Sequence, residues 1–379
     1  MKNRPLLLLP TLFLLAFCLE TCTPSIYSRL VAESQSAYVG GYTRDEGWVN
    51  GKGKGVYRIE LDKKGRITNQ EVVAELINPS FVKESADGRY LLATSELSQP
   101  KERTGFIHVL DVRDGYREIS KLPSGAQAPC HIELVGNQIL MSNYNGGVAS
   151  VYVQSPNGEI TLTDEFKVPA DFDARDKPHL HSANASPWGS LIAIADLGSD
   201  RIWLFTLAGG KLTPYAQPFV ELAAGAGPRH ATWSADGRFL YVINELNSTI
   251  NVLSNDAAEK KMTVLQTIST LPEGWEGKNS TADIHLSRNG NFLYGSNRGH
   301  NSIVIYSVDK VTGKITFVDH ESTRGKTPRN FAIAPTGRLL HVANQDSGNI
   351  TTFTLNEKSG KLTFTGQDYQ IGTPSCIEF

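Results

Sequence analysis

A short proline-led segment recurs along this chain of 379 residues at intervals close to fifty residues. Successive prolines are separated by 50, 49 and 50 residues, then by 100 across a degenerate copy that begins at Ala282, and finally by 46. A fixed period of this size is typical of a repeat architecture, in which each unit is one supersecondary element. The complete copies are Pro79-Ser80-Phe81-Val82, Pro129-Cys130-His131-Ile132, Pro178-His179-Leu180-His181, Pro228-Arg229-His230-Ala231, Pro328-Arg329-Asn330-Phe331 and Pro374-Ser375-Cys376-Ile377.

The unit that begins at Pro228 shows the internal order of a repeat most clearly. A short run with alternating polarity is followed by Asp236-Gly237, a strong hairpin signal. Three further β-rich runs follow over residues 238–244, 249–253 and 262–268. Four short runs separated by turn residues predict a four-stranded antiparallel meander.

Four strands at a period near fifty indicate the blade of a β-propeller, and seven units predict a seven-bladed ring over residues 36–379. The expected fold class is therefore all-β, with seven four-stranded antiparallel blades. Residues 375–379 match only a first strand, whereas residues 37–42 match a second strand. We expect the C-terminal strand to join the N-terminal blade and close the ring, which leaves no unpaired inner edge.

The N-terminus has the pattern of an export signal. Lys2 and Arg4 precede an apolar run over residues 5–19, and this charge order and length are typical of a secretory signal. Fifteen residues are short for a membrane-spanning helix, which needs about twenty. Residues 1–30 are therefore interpreted as a signal peptide with a short tether, and the protein is expected to be periplasmic or secreted.

Cys18 lies in a segment that resembles a bacterial lipoprotein cleavage box, so an N-terminal lipid anchor is the one membrane association that the sequence suggests. Phe17 stands where such a box has a small residue, which favours export over lipidation. Only Cys130 and Cys376 remain beyond the signal, on units that are not neighbours. We expect two free buried thiols rather than a disulfide.

Composition excludes several classes of function. Lys plus Arg number 37 and Asp plus Glu 39, so the net charge of -2 shows no basic excess and predicts no nucleic-acid binding. A mean hydropathy of -0.25 and 20% charged residues exclude a polytopic membrane protein. We expect a monomer whose partner is a small molecule.

The topology of a meander predicts which residues share an end of the ring. The starts of the innermost strands lie at the same end as the turns between second and third strands. The strand starts contribute His131, His179, His181, Arg229, His230, His285 and Arg329. The turns contribute Glu96, Asn143, Asp196, Glu245, Arg298, Asn344 and Gln345. Several Arg and His residues at one mouth indicate a functional site there.

Six short motifs in this order resemble those of the seven-bladed propeller lactonases. The motifs are Pro178-His179-Leu180-His181, Asp196-Leu197-Gly198, Gly227-Pro228-Arg229-His230, Asn244-Glu245-Leu246, Ser296-Asn297-Arg298-Gly299-His300 and Ala343-Asn344-Gln345-Asp346. That family includes propeller-type 6-phosphogluconolactonases and fungal carboxymuconate lactonising enzymes. The resemblance implies a lactone substrate and the catalytic residues His181, Arg229, Glu245 and Arg298. The remaining rim residues expected to bind substrate are His131, His179, Asn143, Asp196, His230, Arg329, Asn344 and Gln345.

The two arginines and the glutamate each have a second interpretation. Arg229 and Arg298 offer charged forks suited to an oxyanion, but an arginine is also commonly held in an ion pair. Glu245 is either a base or the partner that orients Arg229. The orienting role is favoured, because a carboxylate beside an arginine has a lowered pKa and is a poorer base.

The histidine pair also leaves alternatives open. His181 is a candidate general base or acid near neutral pH, or a structural imidazole while His179 faces the mouth. Strand alternation predicts that both side chains point to the same side. Their spacing suits a metal, but no third ligand is indicated, so neither a metal nor another cofactor is expected.

Two classes of function remain. The first is an exported hydrolase of a sugar lactone or a related lactone, with a muconate-type lactonising enzyme as a subordinate reading. The second is a non-catalytic propeller that binds a glycan or a protein. The set of Arg, His and Glu at one mouth favours the enzyme, because a scaffold does not require it. Phosphorylated sugar lactones are cytosolic, so an exported enzyme is expected to act on an unphosphorylated lactone.

Overall fold

The structure, a computed structural model, describes residues 35–169 and 177–379, and these form seven four-stranded antiparallel sheets. Each sheet is one blade, and blade 1 combines the last strand of the chain with the first three. Blade 1 contains β28 (Pro374–Glu378), β1 (Gln35–Gly41), β2 (Val56–Leu61) and β3 (Ile67–Ala74). Blade 2 contains β4 (Val82–Glu84), β5 (Tyr90–Ser95), β6 (Phe106–Asp111) and β7 (Arg117–Pro123).

The other five blades are built from consecutive strands. Blade 3 contains β8 (Gln127–Val135), β9 (Gln138–Asn145), β10 (Val148–Gln154) and β11 (Ile160–Lys167). Blade 4 contains β12 (Leu180–Ala185), β13 (Ile192–Asp196), β14 (Arg201–Ala208) and β15 (Lys211–Glu221). Blade 5 contains β16 (Pro228–Trp233), β17 (Phe239–Asn244), β18 (Thr249–Asp256) and β19 (Lys261–Ser269). Blade 6 contains β20 (Ser280–Leu286), β21 (Phe292–Arg298), β22 (Ser302–Val308) and β23 (Ile315–Ser322). Blade 7 contains β24 (Pro328–Ile333), β25 (Leu339–Asn344), β26 (Asn349–Leu355) and β27 (Leu362–Gln370).

The first strands of the blades contact one another in a closed ring around a central axis, in the order β28, β4, β8, β12, β16, β20 and β24. The C-terminal strand β28 pairs with β1, so that Ile377 lies opposite Val39 and Cys376 opposite Gly40. The prediction of an all-β seven-bladed propeller closed by its last strand is confirmed. Within the described residues the only helical element is a single 3-10 turn, Val112–Asp114.

The hydrophobic core lies between neighbouring blades. Leu204 of blade 4, for example, packs in one cluster with Leu240 and Val242 of blade 5. The second strand of blade 5, β17, is buried along its whole length, whereas its outermost strand β19 alternates between buried and exposed residues. A sheet covered on both faces explains the continuous apolar runs of the second strands.

The turns between first and second strands lie at the end of the ring away from the mouth. In blade 5, Gly237 adopts a φ of +62° and its N–H donates to Ser234 O at 2.8 Å. Glycine enters this left-handed region without the steric cost that a side chain brings. Cys130 and Cys376 are free and buried, as predicted.

The predicted signal peptide and tether over residues 1–30, with Cys18, lie outside the described residues. In the part of the chain that is described, no helix combines the length and the apolar character needed to cross a membrane.

Candidate active site

The innermost strands of five blades carry a β-bulge at the equivalent place, and in blade 1 the extra residue is Ser375, between Pro374 and Cys376. In the other four blades the register between first and second strand shifts between Pro129 and His131, Leu180 and Ser182, Pro228 and His230, and Pro328 and Asn330. The extra residues of these four blades are Cys130, His181, Arg229 and Arg329. A bulge turns a side chain out of the regular alternation of a strand. Here it directs four side chains towards one end of the ring axis.

The bulge corrects the predicted alignment of blade 4. Leu180 lies opposite Asp196, as Pro228 lies opposite Asn244 in blade 5, so Leu180 and not Pro178 occupies the proline position. His181 is therefore the counterpart of Arg229. A register shift lies at His181, and the rings of both His179 and His181 contact the ring of Tyr144.

His179 precedes β12 and stacks on the ring of Tyr144, with 4.3 Å between ring centroids. Its Nδ1 lies 2.9 Å from the carbonyl oxygen of Tyr144. Its backbone N–H donates to Asp196 at 2.9 Å. These contacts give His179 a place beside the mouth rather than in it.

A cavity of about 510 Å³ opens at this mouth. Three of the five bulged residues and several residues from the turns and loops line it. They include Glu46, Trp48, Glu96, Cys130, Tyr144, His181, Glu245, Arg298, Arg329 and Gln345. Its volume is in the range of small-molecule sites, which are about 300–1,000 Å³.

Glu245 stands between two arginines. Its Oε2 lies 2.9 Å from Arg229 Nε and 2.8 Å from Arg298 Nη2. Burial opposes ionisation, but Arg298 and then Arg229 outweigh it and lower the pKa of Glu245 below its usual range. A carboxylate held in this way orients the arginines better than it accepts a proton. Arg298 is the last residue of β21, not a turn residue, and its Nη2 also donates to Thr281 O at 2.7 Å.

Arg229 lies beneath this carboxylate and does not line the cavity. Its side chain is 2% exposed, and its Nη1 donates to Ala282 O at 2.7 Å. The N–H on Nε is not aligned for a hydrogen bond to Glu245, so that contact is an ion pair only. Burial, followed by repulsion from Arg298 and Arg329, lowers the pKa of Arg229 to about 10. The guanidinium stays charged at neutral pH, but its polar contacts are with groups of the protein, including Glu245 and the carbonyl oxygen of Ala282.

Arg329 differs from the other two arginines, because no carboxylate or carbonyl holds it. Its Cζ lies 5.5 Å from the ring centroid of Tyr42 and 5.4 Å from that of Trp48. In residues 35–169 and 177–379, no group forms a hydrogen bond or an ion pair with its guanidinium. No sequence motif indicated Tyr42 and Trp48, which lie on the loop between β1 and β2.

His181 is 4% exposed, and its Nδ1 lies 3.9 Å from Cys130 Sγ. Burial first, and then the positive charge of Arg229, lowers the pKa of His181 well below its usual value. The imidazole is therefore neutral at neutral pH, and the same lowered pKa makes it a weak base. Its Nε2 has no hydrogen-bond partner among the described residues, and the side chain lines the cavity.

Two predicted substrate-binding histidines lie below the cavity, closer to the middle of the axis. His230 Nδ1 is 2.8 Å from Asp283 Oδ1, and His230 Nε2 is 3.3 Å from Arg229 Nη1. His131 packs against His230 with 5.4 Å between ring centroids. Neither lines the cavity, so the structure places both beneath the site.

The three predicted rim residues Asn143, Asp196 and Asn344 end or nearly end second strands and are fully buried. Asn143 Nδ2 donates to Ser124 O at 2.7 Å, and Asp196 accepts the hydroxyl of Ser199 at 2.6 Å. These side chains hold the blades together and do not reach the cavity. Gln345, one residue beyond Asn344, lines it.

Within the described residues, no three His, Cys, Asp or Glu side chains are grouped so that they would hold a metal ion. His179 and His181, the pair whose spacing suits a metal, are separated by the bulge. Metal-free chemistry stays a prediction.

Known proteins share both the sequence pattern and the fold. Residues 36–379 match the family model described as lactonase, 7-bladed beta-propeller. A 6-phosphogluconolactonase of Bacillus subtilis is 29% identical over 320 residues, which is 79% of this chain and 85% of that protein. A 6-phosphogluconolactonase of Formosa agariphila is 31% identical over 313 residues, 79% of this chain and 86% of its own. The solved structure of the periplasmic gluconolactonase of Pseudomonas aeruginosa superimposes with a TM-score of 0.83 at 29% identity, covering 91% of this chain and 99% of that one.

Proposed function

This chain belongs to the seven-bladed β-propeller lactonase family, and we propose that it is an exported hydrolase that opens a sugar lactone with water at the axial mouth. The observation that carries the proposal is the unpaired guanidinium of Arg329, which faces a cavity of about 510 Å³ beside the neutral imidazole of His181. Because no group of the described residues is hydrogen-bonded to this guanidinium, its N–H groups can donate to the oxyanion that forms when an ester is hydrolysed.

In this reaction water adds to the ring carbonyl, and the carbonyl oxygen carries negative charge in the tetrahedral intermediate. Arg329 stabilises that oxygen, because a guanidinium is permanently charged and presents two parallel donors. Arg298 lies at the same cavity, and Glu245 fixes its direction by an ion pair of 2.8 Å. Arg229 supports Glu245 from below.

His181 takes a proton from the attacking water as the carbon–oxygen bond forms. The ring carbon–oxygen bond then breaks, and the imidazolium returns the proton to the ring oxygen, which becomes a hydroxyl group. The product is an open hydroxy acid that ionises in water. His181 is preferred to Glu245 as the base, because Glu245 is held by two arginines, whereas the imidazole lines the cavity in its neutral form, although its lowered pKa weakens it as a base.

Export is a part of the proposal that rests on Lys2, Arg4 and the apolar run over residues 5–19. The similar protein of Pseudomonas aeruginosa is named periplasmic. An unphosphorylated lactone is the substrate that an exported enzyme meets, and a monomer is the form that we propose. Cell fractionation with N-terminal sequencing tests the export signal, and light scattering tests the monomer.

The activity test is a pH-stat assay of glucono-δ-lactone and its 6-phosphate, with the spontaneous opening rate subtracted. We expect turnover of the unphosphorylated lactone, retained after dialysis against EDTA. His181→Asn is expected to lower kcat about a hundredfold, the usual order for loss of a general base. His320→Asn, on the outer strand β23, is the matched control. Rates that do not exceed the spontaneous rate would favour a non-catalytic glycan-binding or protein-binding propeller.

A further inference from the structure

A second concavity, here called the outer groove, adjoins the cavity at the mouth. Its volume is about 940 Å³, and it lies between blade 1 and blade 7 on the same end of the ring. Trp48 and Gln345 line both the cavity and the outer groove. A ligand that fills the cavity can therefore continue over Trp48 into the groove.

Trp48 is exposed but firmly supported. Its side chain is 52% exposed, although the loop that carries it is a small hairpin in which Asp45 pairs with Asn50. Glu46 in this hairpin accepts a hydrogen bond from Asn78 Nδ2 at 2.6 Å. An ordered indole at a surface is a pre-formed platform for the C–H face of a sugar ring, because little freedom is lost when the ligand binds.

Gln345 carries an unsatisfied acceptor at the junction of the two concavities. The residue is 5% exposed, and its Nε2 donates to Asp346 Oδ1 at 2.9 Å. Its Oε1 is buried and has no hydrogen-bond partner in the part of the chain that the structure describes. A buried acceptor without a donor is costly, and a ligand hydroxyl at the junction would satisfy it.

The charges of the outer groove balance one another. Lys52 and Lys54 lie on one side, and the carboxylates of Glu71 and Asp346 also line it. A phosphate group with two negative charges would require an excess of donors and cations, which this mixture does not offer. Hydroxyl groups, which both donate and accept, fit such a lining.

We propose that the outer groove is a second sugar subsite, so that the preferred substrate is the lactone of a disaccharide or longer oligosaccharide. The lactone ring would occupy the cavity beside Arg329, and the glycosyl substituent would stack on Trp48 and bond to Gln345 Oε1. This inference rests on the proposed lactonase function and adds the class of substrate to it.

The test compares kcat/KM for cellobiono-δ-lactone, glucono-δ-lactone and 6-phosphoglucono-δ-lactone, each corrected for spontaneous opening. We expect the intact protein to prefer the disaccharide lactone to glucono-δ-lactone by about tenfold, the order that one stacked ring contributes. Trp48→Ala should remove this preference, and Trp48→Phe should keep most of it. Trp188→Ala is the control, because Trp188 is 68% exposed on a turn at the other end of the ring.

Gln345→Leu separates ligand binding from folding. Removing an unsatisfied acceptor should not lower the Tm, whereas the preference for the disaccharide lactone should fall. If the intact protein shows no preference, or if Trp48→Ala lowers both kcat/KM values equally, the subsite is overturned and the lactonase function stands. Preference for the 6-phosphate over the disaccharide lactone also overturns it, in favour of a phosphate site.

Calorimetry with the products, cellobionate and gluconate, removes the dependence on turnover. Cellobionate binding that is lost in Trp48→Ala would support the subsite even if no lactone were hydrolysed, and only the proposed function would fail. Absence of both turnover and binding would overturn the two proposals together.

Discussion

The two ends of the ring axis are both lined by charged side chains, but the charges are partnered differently. At the far end, Lys83 Nζ lies 2.9 Å from Glu378 Oε1, and His285 Nε2 lies 2.9 Å from Asp283 Oδ2. At the mouth, Arg229 and Arg298 are paired with Glu245, whereas Arg329 has aromatic contacts but no hydrogen bond or ion pair in the described residues. These far-end charges are matched pairs, whereas the guanidinium of Arg329 faces the cavity with its N–H groups free of partners in the described part of the protein.

This difference shows that a charged lining does not by itself mark a functional site. The pair of Lys83 and Glu378 joins the neighbouring first strands β4 and β28, and a bound ligand would have to break it. A guanidinium that faces a cavity without a hydrogen-bonded partner leaves its N–H donors available to a ligand.

The largest expected effect is on stability and comes from Arg229. Arg229→Ala should lower the free energy of unfolding by about 4 kcal/mol, because it leaves a large void, an orphan carbonyl at Ala282 and a less neutralised Glu245. Turnover per folded molecule should fall less than tenfold. Urea titration and kcat are measured on the same preparation.

Arg229→Met serves as the control for volume, since its side chain fills the void without a charge and should cost less stability. An Arg229→Ala protein that unfolds like the parent but turns over a hundredfold more slowly would show that Arg229 reaches the substrate. In that event the contrast between a structural and a functional arginine is wrong.

Arg329 should behave in the opposite way. Arg329→Ala is expected to lower kcat about a hundredfold, equivalent to about 3 kcal/mol of transition-state stabilisation, with little change in Tm. Lysine should recover little, because a point charge cannot reproduce a two-pronged contact. Arg338→Ala, on an exposed turn at the far end of the same blade, is the control. A raised KM with unchanged kcat would show that Arg329 binds the substrate in the ground state and does not stabilise the transition state.

The fold was predictable because its determinants are local. Asp236-Gly237 and the equivalent turns mark the hairpins, the proline segments set the period, and both are read directly from the chain. Ring closure was predictable because the C-terminal residues match a first strand and the N-terminal residues match a second strand. The register of the pairing between β28 and β1 then follows from the pattern of apolar residues in the two strands.

The sequence could place Arg229 and Arg329 at one end of the ring but could not distinguish their surroundings. Arg229 and Arg329 each follow a proline at the same position of a repeat, so the sequence treats them alike. Their difference comes from the neighbouring turn in space. Arg229 meets Glu245 of its own blade, whereas Arg329 meets Trp48 across the closure of the ring. A contact between segments that are far apart in the chain cannot be predicted from a local sequence motif.

The same limit explains two misplaced histidines. A proline at Pro178 suggested the wrong alignment for His179, and the degenerate copy in blade 6 suggested a mouth position for His285. The structure pairs Thr281 with Asn297, as Pro228 pairs with Asn244, which puts Ala282 at the bulge position and His285 towards the far end. The predicted alignment is therefore off by two residues in blade 4 and by one residue in blade 6.

A smaller expected effect is the pH dependence of stability, which should differ in sign between His230 beneath the cavity and His285 at the far end. Burial, followed by Arg229, lowers the pKa of His230 to about 4, although Asp283 opposes the shift. Because the unfolded chain binds a proton near pH 6.5, the native protein should lose stability as the pH falls from about 6.5 to about 4. His230→Gln cannot titrate, so its urea midpoint should fall less than that of the parent between pH 7 and pH 4.5. Parallel losses in both proteins would refute this role of His230.

The smallest expected effect has the opposite sign and belongs to His285 at the far end. Burial opposes its protonation, but the charge of Asp283 outweighs burial and raises the pKa of His285 above its usual value. A group with a raised folded pKa contributes stability that is fully present below the unfolded pKa and is lost as the pH rises through the folded pKa. His285→Gln should therefore lower the Tm at pH 6, by roughly 2 °C, and hardly change it at pH 9. The side chain is 42% exposed, and solvent screening keeps the effect small. A variant that loses the same Tm at both pH values would show that His285 packs rather than pairs, and the far end would then not be a set of matched charges.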